Sequence, residues 1–325
     1  MWKKRIVGAI ATLMAVGLIA GCGGSQGTTS GDKQYKVGVV QLVEHPALDA
    51  ANKGFVDGLK SKGFDKNVVL DQQNAQADQS NLNSIAQRFV SDKKDLVLAI
   101  ATPAAQAMAN ATKDIPILGT AITDYKTAKL VQSDEKPGTN VSGTTDMNPI
   151  EQQVDLIIKL VPNLKTLGTI YTASEVNSQL QVEKMKAYAA TKGITVVEAT
   201  VSNVNDIQQA AQNLASQGVQ AIYIPTDNVV ASAFANVVKI TDAAKIPVFP
   251  AEENMVKAGG VAIYSVDYYK LGFQTGVMAA KLLSGEAKIS DMPIERQKEM
   301  KLVINKEEAA KLGISIPADL AQEVK

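Results

Sequence analysis

Short apolar, β-branched runs alternate with helical stretches along this chain, and the alternation is gone through twice, which points to parallel sheets with helices on their faces. Runs at 37–40, 68–70, 96–100 and 115–118 predict four strands, each of the first three followed by an amphipathic helix. After the first strand, Ala47, Ala50, Ala51, Phe55 and Leu59 fall at helical spacings, as a buried helix face requires. Residues 141–145 predict a fifth strand. Asp146-Met147-Asn148-Pro149 then reads as a helix start, with an acceptor side chain ahead of a proline. The same grammar resumes with strands at 167–171, 194–197, 221–224 and 247–249. Two sets of βα units imply two similar α/β lobes, without a residue-by-residue repeat. The tail departs from this order, with a strand at 261–266, a helix at 268–283 and a last strand at 301–305. Such unequal leftovers fit a chain that crosses between lobes more than once. Crossings make a hinge, and a hinge sets the carboxyl ends of two sheets on either side of a cleft.

The N-terminus is of another kind. Lys3, Lys4 and Arg5 precede an uncharged apolar run over 6–20 and then Gly21 and Cys22, the chain's only cysteine. A basic start, a short apolar core and small residues at its end predict a secretory signal, too short for a stable membrane span. Leu18-Ile19-Ala20-Gly21-Cys22 resembles the lipobox of bacterial lipoproteins, which implies that Cys22 is lipidated and becomes the first mature residue. Residues 22–34 are small and polar, a flexible tether spanning roughly 20 Å on average.

Removing residues 1–21 takes away three basic side chains and no acid, leaving 30 basic (33 less 3) against 33 acidic ones. A mildly acidic mature chain argues against a nucleic-acid partner held by counterion release. Its 304 residues (325 less 21) exceed the usual single core, again favouring two lobes.

The segment 41–51 (QLVEHPALDAA), the run 99–106 (AIATPAAQ) and Pro225-Thr226-Asp227-Asn228 resemble the tryptophan and tyrosine type of ABC-transporter substrate-binding lipoprotein. The match continues through 143–147, 267–272 and 302–305, and so covers essentially the whole mature chain. The resemblance implies a type I periplasmic-binding fold with three crossings, a ligand between the lobes, and delivery to a membrane permease powered by an ATPase. On it, the first lobe is 35–145 plus 251–295 and the second 146–250 plus 296–325. A monomer is assumed on the same ground.

A free amino acid carries a carboxylate and an ammonium, so its site needs clustered N–H and hydroxyl donors and at least one carboxylate. Thr102 and Ala104, after the third strand, open a helix whose N-terminus favours an anion; the alternative is a plain threonine cap. Ser174, Asn177 and Ser178 offer donors from the opposite lobe, or cap a helix. Thr226, Asp227 and Asn228 follow an apolar strand, where the acid can hold an ammonium or cap the next helix; the ligand role is favoured. Thr123-Asp124 and Thr145-Asp146 occupy equivalent turns in the first lobe and at its crossing. Glu252 lies at the second crossing and lines the cleft mouth or is solvated. Glu44 and His45 follow the first strand on the first-lobe side. A single histidine with no cysteine beside it makes neither a metal site nor a catalytic dyad, and no cofactor is expected. Tyr171 and Tyr125 are the nearest aromatic groups for a ligand side chain.

The expected function is extracytoplasmic capture of a small solute, an aromatic amino acid on the resemblance, by a lipid-anchored, non-enzymatic protein. Alternatives are a lipoprotein that senses the same ligand for a membrane receptor, and a binder of another amino acid or solute. A hydrolase would need a G-x-S-x-G elbow on a strand-to-helix turn; the one G-x-S-x-G match, residues 23–27, falls in the polar tether and joins no strand to a helix. A regulator would need a helix-turn-helix where the signal stands.

Overall fold

The computed structural model describes residues 33–323; the signal segment, Cys22 and nearly all of the tether lie outside the described residues. The first lobe is built from β1 (Tyr35–Gln41), α1 (Pro46–Ser61), β2 (Val68–Asn74), α2 (Gln79–Ser91), β3 (Leu96–Ile100), α3 (Thr102–Ala111), β4 (Ile117–Ile122) and β5 (Val141–Thr145). The second contains α4 (Ile150–Leu160), β6 (Thr166–Thr172), α5 (Val176–Thr191), β7 (Thr195–Val201), α6 (Ile207–Ser216), β8 (Ala221–Ile224), α7 (Asn228–Ser232), α8 (Phe234–Ala244) and β9 (Val248–Pro250). There follow α9 (Glu253–Lys257), β10 (Ala262–Ser265), α10 (Tyr268–Leu283), β11 (Glu295–Arg296), β12 (Lys301–Ile304), α11 (Lys306–Lys311) and α12 (Ala318–Glu323).

One sheet has the order β11-β5-β4-β3-β1-β2 and the other β7-β6-β8-β9, every neighbouring pair parallel. Strands β3, β4 and β5 are buried along their whole length. Helices cover both faces of such strands, so they read as unbroken apolar or small-residue runs rather than alternating ones. Phe55, Phe89, Leu98 and Met108 anchor the first core. Leu167, Met185 and Leu302 lie in a second, and Ile170, Leu214 and Ile222 in a third, which accounts for two cores in the second lobe.

The α/β architecture with two doubly wound lobes agrees with the sequence pattern, but the tail is distributed differently. Residues 251–265, expected in the first lobe, belong to the second. Strand β10 pairs antiparallel with β12, Val261 N–H donates to the Val248 carbonyl beside β9, and Ala262 packs with Leu302. The chain returns to the first lobe only at α10, which lies against α1 so closely that a Cβ at Gly272 would stand 1.8 Å from the Ala51 carbonyl oxygen. Arg296, placed in the second lobe by the sequence, pairs with Thr145 in the first sheet. The final crossing therefore falls between β11 and β12. Sequence patterning marks a strand but not its sheet, because its partner is chosen by tertiary packing. Asn148 also departs from expectation: it does not cap α4, and its Nδ2 donates 2.9 Å to the Ala251 carbonyl, tying the first crossing to the end of β9. Among the described residues no helix is long and apolar enough to cross a membrane.

Candidate ligand-binding cleft

In the first sheet β2 and β3 lie on opposite sides of β1, which puts a switch in winding between β1 and β3, and α/β sheets open a crevice at such a point. His45 follows β1, Thr102 follows β3, Thr123 follows β4, and Thr145-Asp146 ends β5. From the second sheet come Thr172 to Ser178 after β6, Thr226 to Asn228 after β8, and Glu252 after β9. The two sets touch. Thr123 Oγ1 lies 2.9 Å from Thr226 Oγ1, His45 Nε2 lies 3.4 Å from Asn228 Oδ1, and His45 Nδ1 lies 3.6 Å from Glu252 Oε2.

On the first-lobe side, Thr102 is the first helical residue of α3 and not its cap; the cap position is Ala101, in the left-handed region at φ 84°. A helix's first turn carries N–H groups with no acceptor in the helix and the positive end of its dipole. Thr102 Oγ1 is buried there without a hydrogen-bond partner. Ala104 is buried in the core, so it can offer the cleft only its backbone N–H. Thr145 Oγ1 donates to the Thr123 carbonyl at 2.7 Å and accepts from Met147 N–H, which fixes the turn that carries Asp146. Asp146 in turn accepts from Thr123 Oγ1 at 3.1 Å and from the Tyr268 hydroxyl at 2.9 Å.

On the second-lobe side nearly every polar group is satisfied within the lobe. Asp227 accepts from Thr172 N–H (2.6 Å), Thr172 Oγ1 (2.7 Å), Ser178 Oγ (2.8 Å) and, as cap of α7, Val230 N–H (2.9 Å). Four donors fill its two oxygens, so the capping role outweighs the ligand role expected for it. Glu175, the residue at the N-cap of α5, accepts from Asn177 Nδ2 (3.0 Å) and Asn228 Nδ2 (2.6 Å). Asn177 Nδ2 also reaches the Thr226 carbonyl at 2.8 Å, which turns Asn177 Oδ1 away, buried and without a partner.

The electrostatics follow from burial. Asp146, Glu175, Asp227 and Glu252 are all within 5 % of full burial, and burial raises the pKa of each. Glu252 is pushed well up, first by burial and then by the charges of Asp146, Glu175 and Asp227. Among the described residues no lysine or arginine forms an ion pair with any of the four. The one basic group present, His45, is itself driven down to about 4 by burial, and is neutral at ordinary pH. Asn228 gives its amide N–H to Glu175 and so turns Oδ1 to His45, which assigns the proton to Nε2 and leaves Nδ1 bare toward Glu252. A wall of acids with no fixed cation favours a ligand that brings positive charge.

Several expected residues lie elsewhere. Glu44 is exposed, beside a surface hollow with Gln41 and Asn52. Asp124 accepts from Thr127 N–H and caps a local turn. Tyr125 is buried in the first core, donating to the Gly119 and Thr144 carbonyls. The Tyr171 hydroxyl donates to Glu198 on the neighbouring strand, at the protein surface. Ser174 is exposed and Glu175 takes the cap position it was expected to hold. Four buried groups of the cleft, Thr172 at the end of β6 among them, were not singled out in the sequence. Glu175 sits inside the segment that was, Gln181 follows Asn177 by four residues on one face of α5, and Tyr268 opens α10. The helical spacing of Gln181 is a signal that could have found it.

Comparison with known proteins identifies the family and supports the fold. The family model described as ABC transporter substrate binding protein matches residues 36–325. A tyrosine-binding protein of Clostridioides difficile (strain R20291) is 42 % identical over 315 residues, covering 94 % of this chain and 91 % of that protein. A Streptococcus pneumoniae ABC domain in complex with L-Trp is 44 % identical and superposes with a TM-score of 0.87, covering 90 % of this chain and 99 % of its own. The ligand-free, open structure of a Clostridium difficile substrate-binding protein with adhesive properties, also 44 % identical and covering 90 % and 98 %, gives only 0.67. At equal identity the higher score falls on the tryptophan complex, as expected of lobes that meet through Thr123, Thr226, His45 and Asn228. The chain belongs to the ABC transporter substrate binding protein family.

Proposed function

We propose that this protein captures a free aromatic amino acid between its lobes and delivers it to the permease of an ABC importer. Membership of the family makes it a substrate-binding protein that works outside the cytoplasm. Four buried carboxylates gathered at the cleft with no lysine or arginine among them are the observation that carries the ligand class. An ammonium there finds Glu252 and the unpartnered Asn177 Oδ1 as acceptors. The ligand carboxylate finds Thr102 Oγ1 and the first turn of α3 across the cleft. Aromatic side chains are supported by the tyrosine-binding and L-Trp-bound relatives. Lipid on Cys22, the polar tether, a single-copy protein, and a permease with its ATPase complete the reading.

The test uses the protein starting at Gly23, stripped of ligand by unfolding and refolding. The chain's one tryptophan is Trp2, so indole emission in this protein comes from added ligand alone. Saturable blue-shifted emission with L-tryptophan, competed by L-tyrosine or L-phenylalanine and not by indole-3-propionate, which lacks the ammonium, is the expected outcome. Equal competition by indole-3-propionate would remove the role assigned to the acids, and no shift at millimolar tryptophan would remove the aromatic ligand.

A further inference from the structure

We infer that Gln181, Thr226, Thr123, Asp146 and Tyr268 form a closure latch: a one-way chain of hydrogen bonds that holds the lobes together through the protein's own groups. Thr123 and Thr226, expected from the sequence to touch ligand, are instead each other's partners at 2.9 Å, one from each lobe. The direction of the chain is fixed by its ends. Asp146 can only accept when ionised, so Thr123 spends its single proton on Asp146 Oδ1, at 3.1 Å. Thr123 must then accept from the Thr226 hydroxyl. Thr226 Oγ1 keeps both lone pairs, and Gln181 Nε2 donates to one of them at 2.5 Å. The Gln181 carbonyl is turned back on the same loop, facing Thr226 N–H at 3.3 Å and the Tyr223 hydroxyl at 3.4 Å, so the amide cannot flip without losing both.

The far end is anchored where the chain crosses between lobes. Asp146 directly follows β5, and its second oxygen accepts from Tyr268, the first residue of α10, at 2.9 Å. Two of the three crossings are thus tied to one carboxylate, and that carboxylate is tied through two threonines to an amide inside the second lobe. Gln181, Thr123, Thr226, Asp146 and Tyr268 are all 5 % exposed or less. Chains of bonds oriented one way strengthen one another away from water. Within this chain of bonds, opening the lobes breaks only the Thr123–Thr226 link, leaving each threonine its own partner, so the latch acts on the closed state alone. Gln181 and Tyr268 are positioning residues in this scheme, since neither lies across from the other lobe's wall.

The experiment reads the closed fraction with no ligand present. Glu44→Cys, exposed and one residue from His45, takes a spin label in the protein starting at Gly23, which has no other cysteine. Paramagnetic relaxation of second-lobe amides around Ser174 then reports even minor closed populations. The wild-type background is expected to show enhancement that Thr123→Val and Thr226→Val each reduce by about 2- to 10-fold, the range a single hydrogen bond supplies. The double variant is expected to lose no more than either single one, and Thr226→Ser to keep the wild-type value. Equal enhancement in Thr226→Val and wild type, additive losses, or no enhancement in the wild type would each overturn the latch. Added L-tryptophan tests the ligand separately: failure to raise the enhancement sinks the aromatic assignment and leaves the ligand-free comparison intact.

Discussion

The two walls of the cleft are built on opposite plans. The second-lobe wall is a network closed on itself except at Asn177 Oδ1, in which Asp227 holds four donors and Glu175 holds the amides of Asn177 and Asn228. The first-lobe wall is short of partners, and two of its buried polar atoms, Thr102 Oγ1 and His45 Nδ1, have none. A network complete within one lobe is rigid before the lobes meet, so its groups are held ready without a ligand. Atoms without partners cost free energy where they stand, and a ligand that satisfies them recovers it. The charge divides in the same way: three of the four acids, Glu175, Asp227 and Glu252, follow strands of the second sheet, whereas neutral hydroxyls and an imidazole line the first. One wall suits an ammonium and the other a carboxylate.

The contrast breaks first at Asp227. Asp227→Ala removes a buried acceptor serving four donors and the cap of α7, and should cost about 3–5 kcal/mol of stability. Urea unfolding measures it, and a variant with wild-type stability but poor binding would return Asp227 to a ligand role. Glu252→Gln separates the other way. Glu252 is a buried acid with no basic partner, so its loss should leave the unfolding midpoint unchanged or higher. Affinity for L-tryptophan should fall by about 1.5–3 kcal/mol, the worth of a hydrogen bond to a charged group. Unchanged affinity would leave the ammonium to Asn177 and Glu175.

Acidity sharpens the comparison between the walls. Glu252, Asp146, Glu175 and Asp227 have folded pKa values raised above their unfolded ones, so the folded protein binds more protons than the unfolded chain as pH rises from about 4. The stability these four acids contribute is therefore present at low pH and lost as pH rises toward the folded values. His45 runs opposite. Its folded pKa of about 4 lies below its ordinary value of 6.5, so its contribution is present above 6.5 and lost as pH falls toward 4. A ligand ammonium restores Glu252, the acid with no donor of its own, to its charged form, so binding should release a proton. Calorimetry near neutral pH in buffers of different ionisation enthalpy measures this, and the release is at most about 1.4 kcal/mol per pH unit for one proton. Heats independent of buffer would mean that the acids are already charged without ligand.

How much of this was legible follows the same division. The hydroxyls of the first wall stand directly after predicted strands, so Thr102, Thr123 and Thr145 could be named from strand ends alone. The aromatic assignments failed because a strand's two faces look alike in sequence: Tyr171 faces Glu198 outside and Tyr125 turns into the core. Glu175 was passed over for its neighbour Ser174, the commoner capping residue, because only the packed loops reveal that Asn228 donates to it. The return of β10 to the second lobe was likewise invisible, since an apolar strand carries no mark of its partner.

Thr102 offers the smallest and cleanest separation of the two walls. Replacing it with valine keeps the shape and removes a hydroxyl that no group in the protein satisfies. Had Thr102 been the cap of α3, valine would cost the helix about 1 kcal/mol. Because the cap position is Ala101, the loss should appear in ligand affinity instead, by about 0.5–1.5 kcal/mol for one hydrogen bond, with stability equal to the wild type or slightly higher. Unfolding and tryptophan titration on the same preparation decide between the two. A fall in stability with affinity unchanged would make Thr102 part of the helix and leave the carboxylate to the backbone of α3. The expected pattern places the hydroxyl among the groups that only a ligand completes.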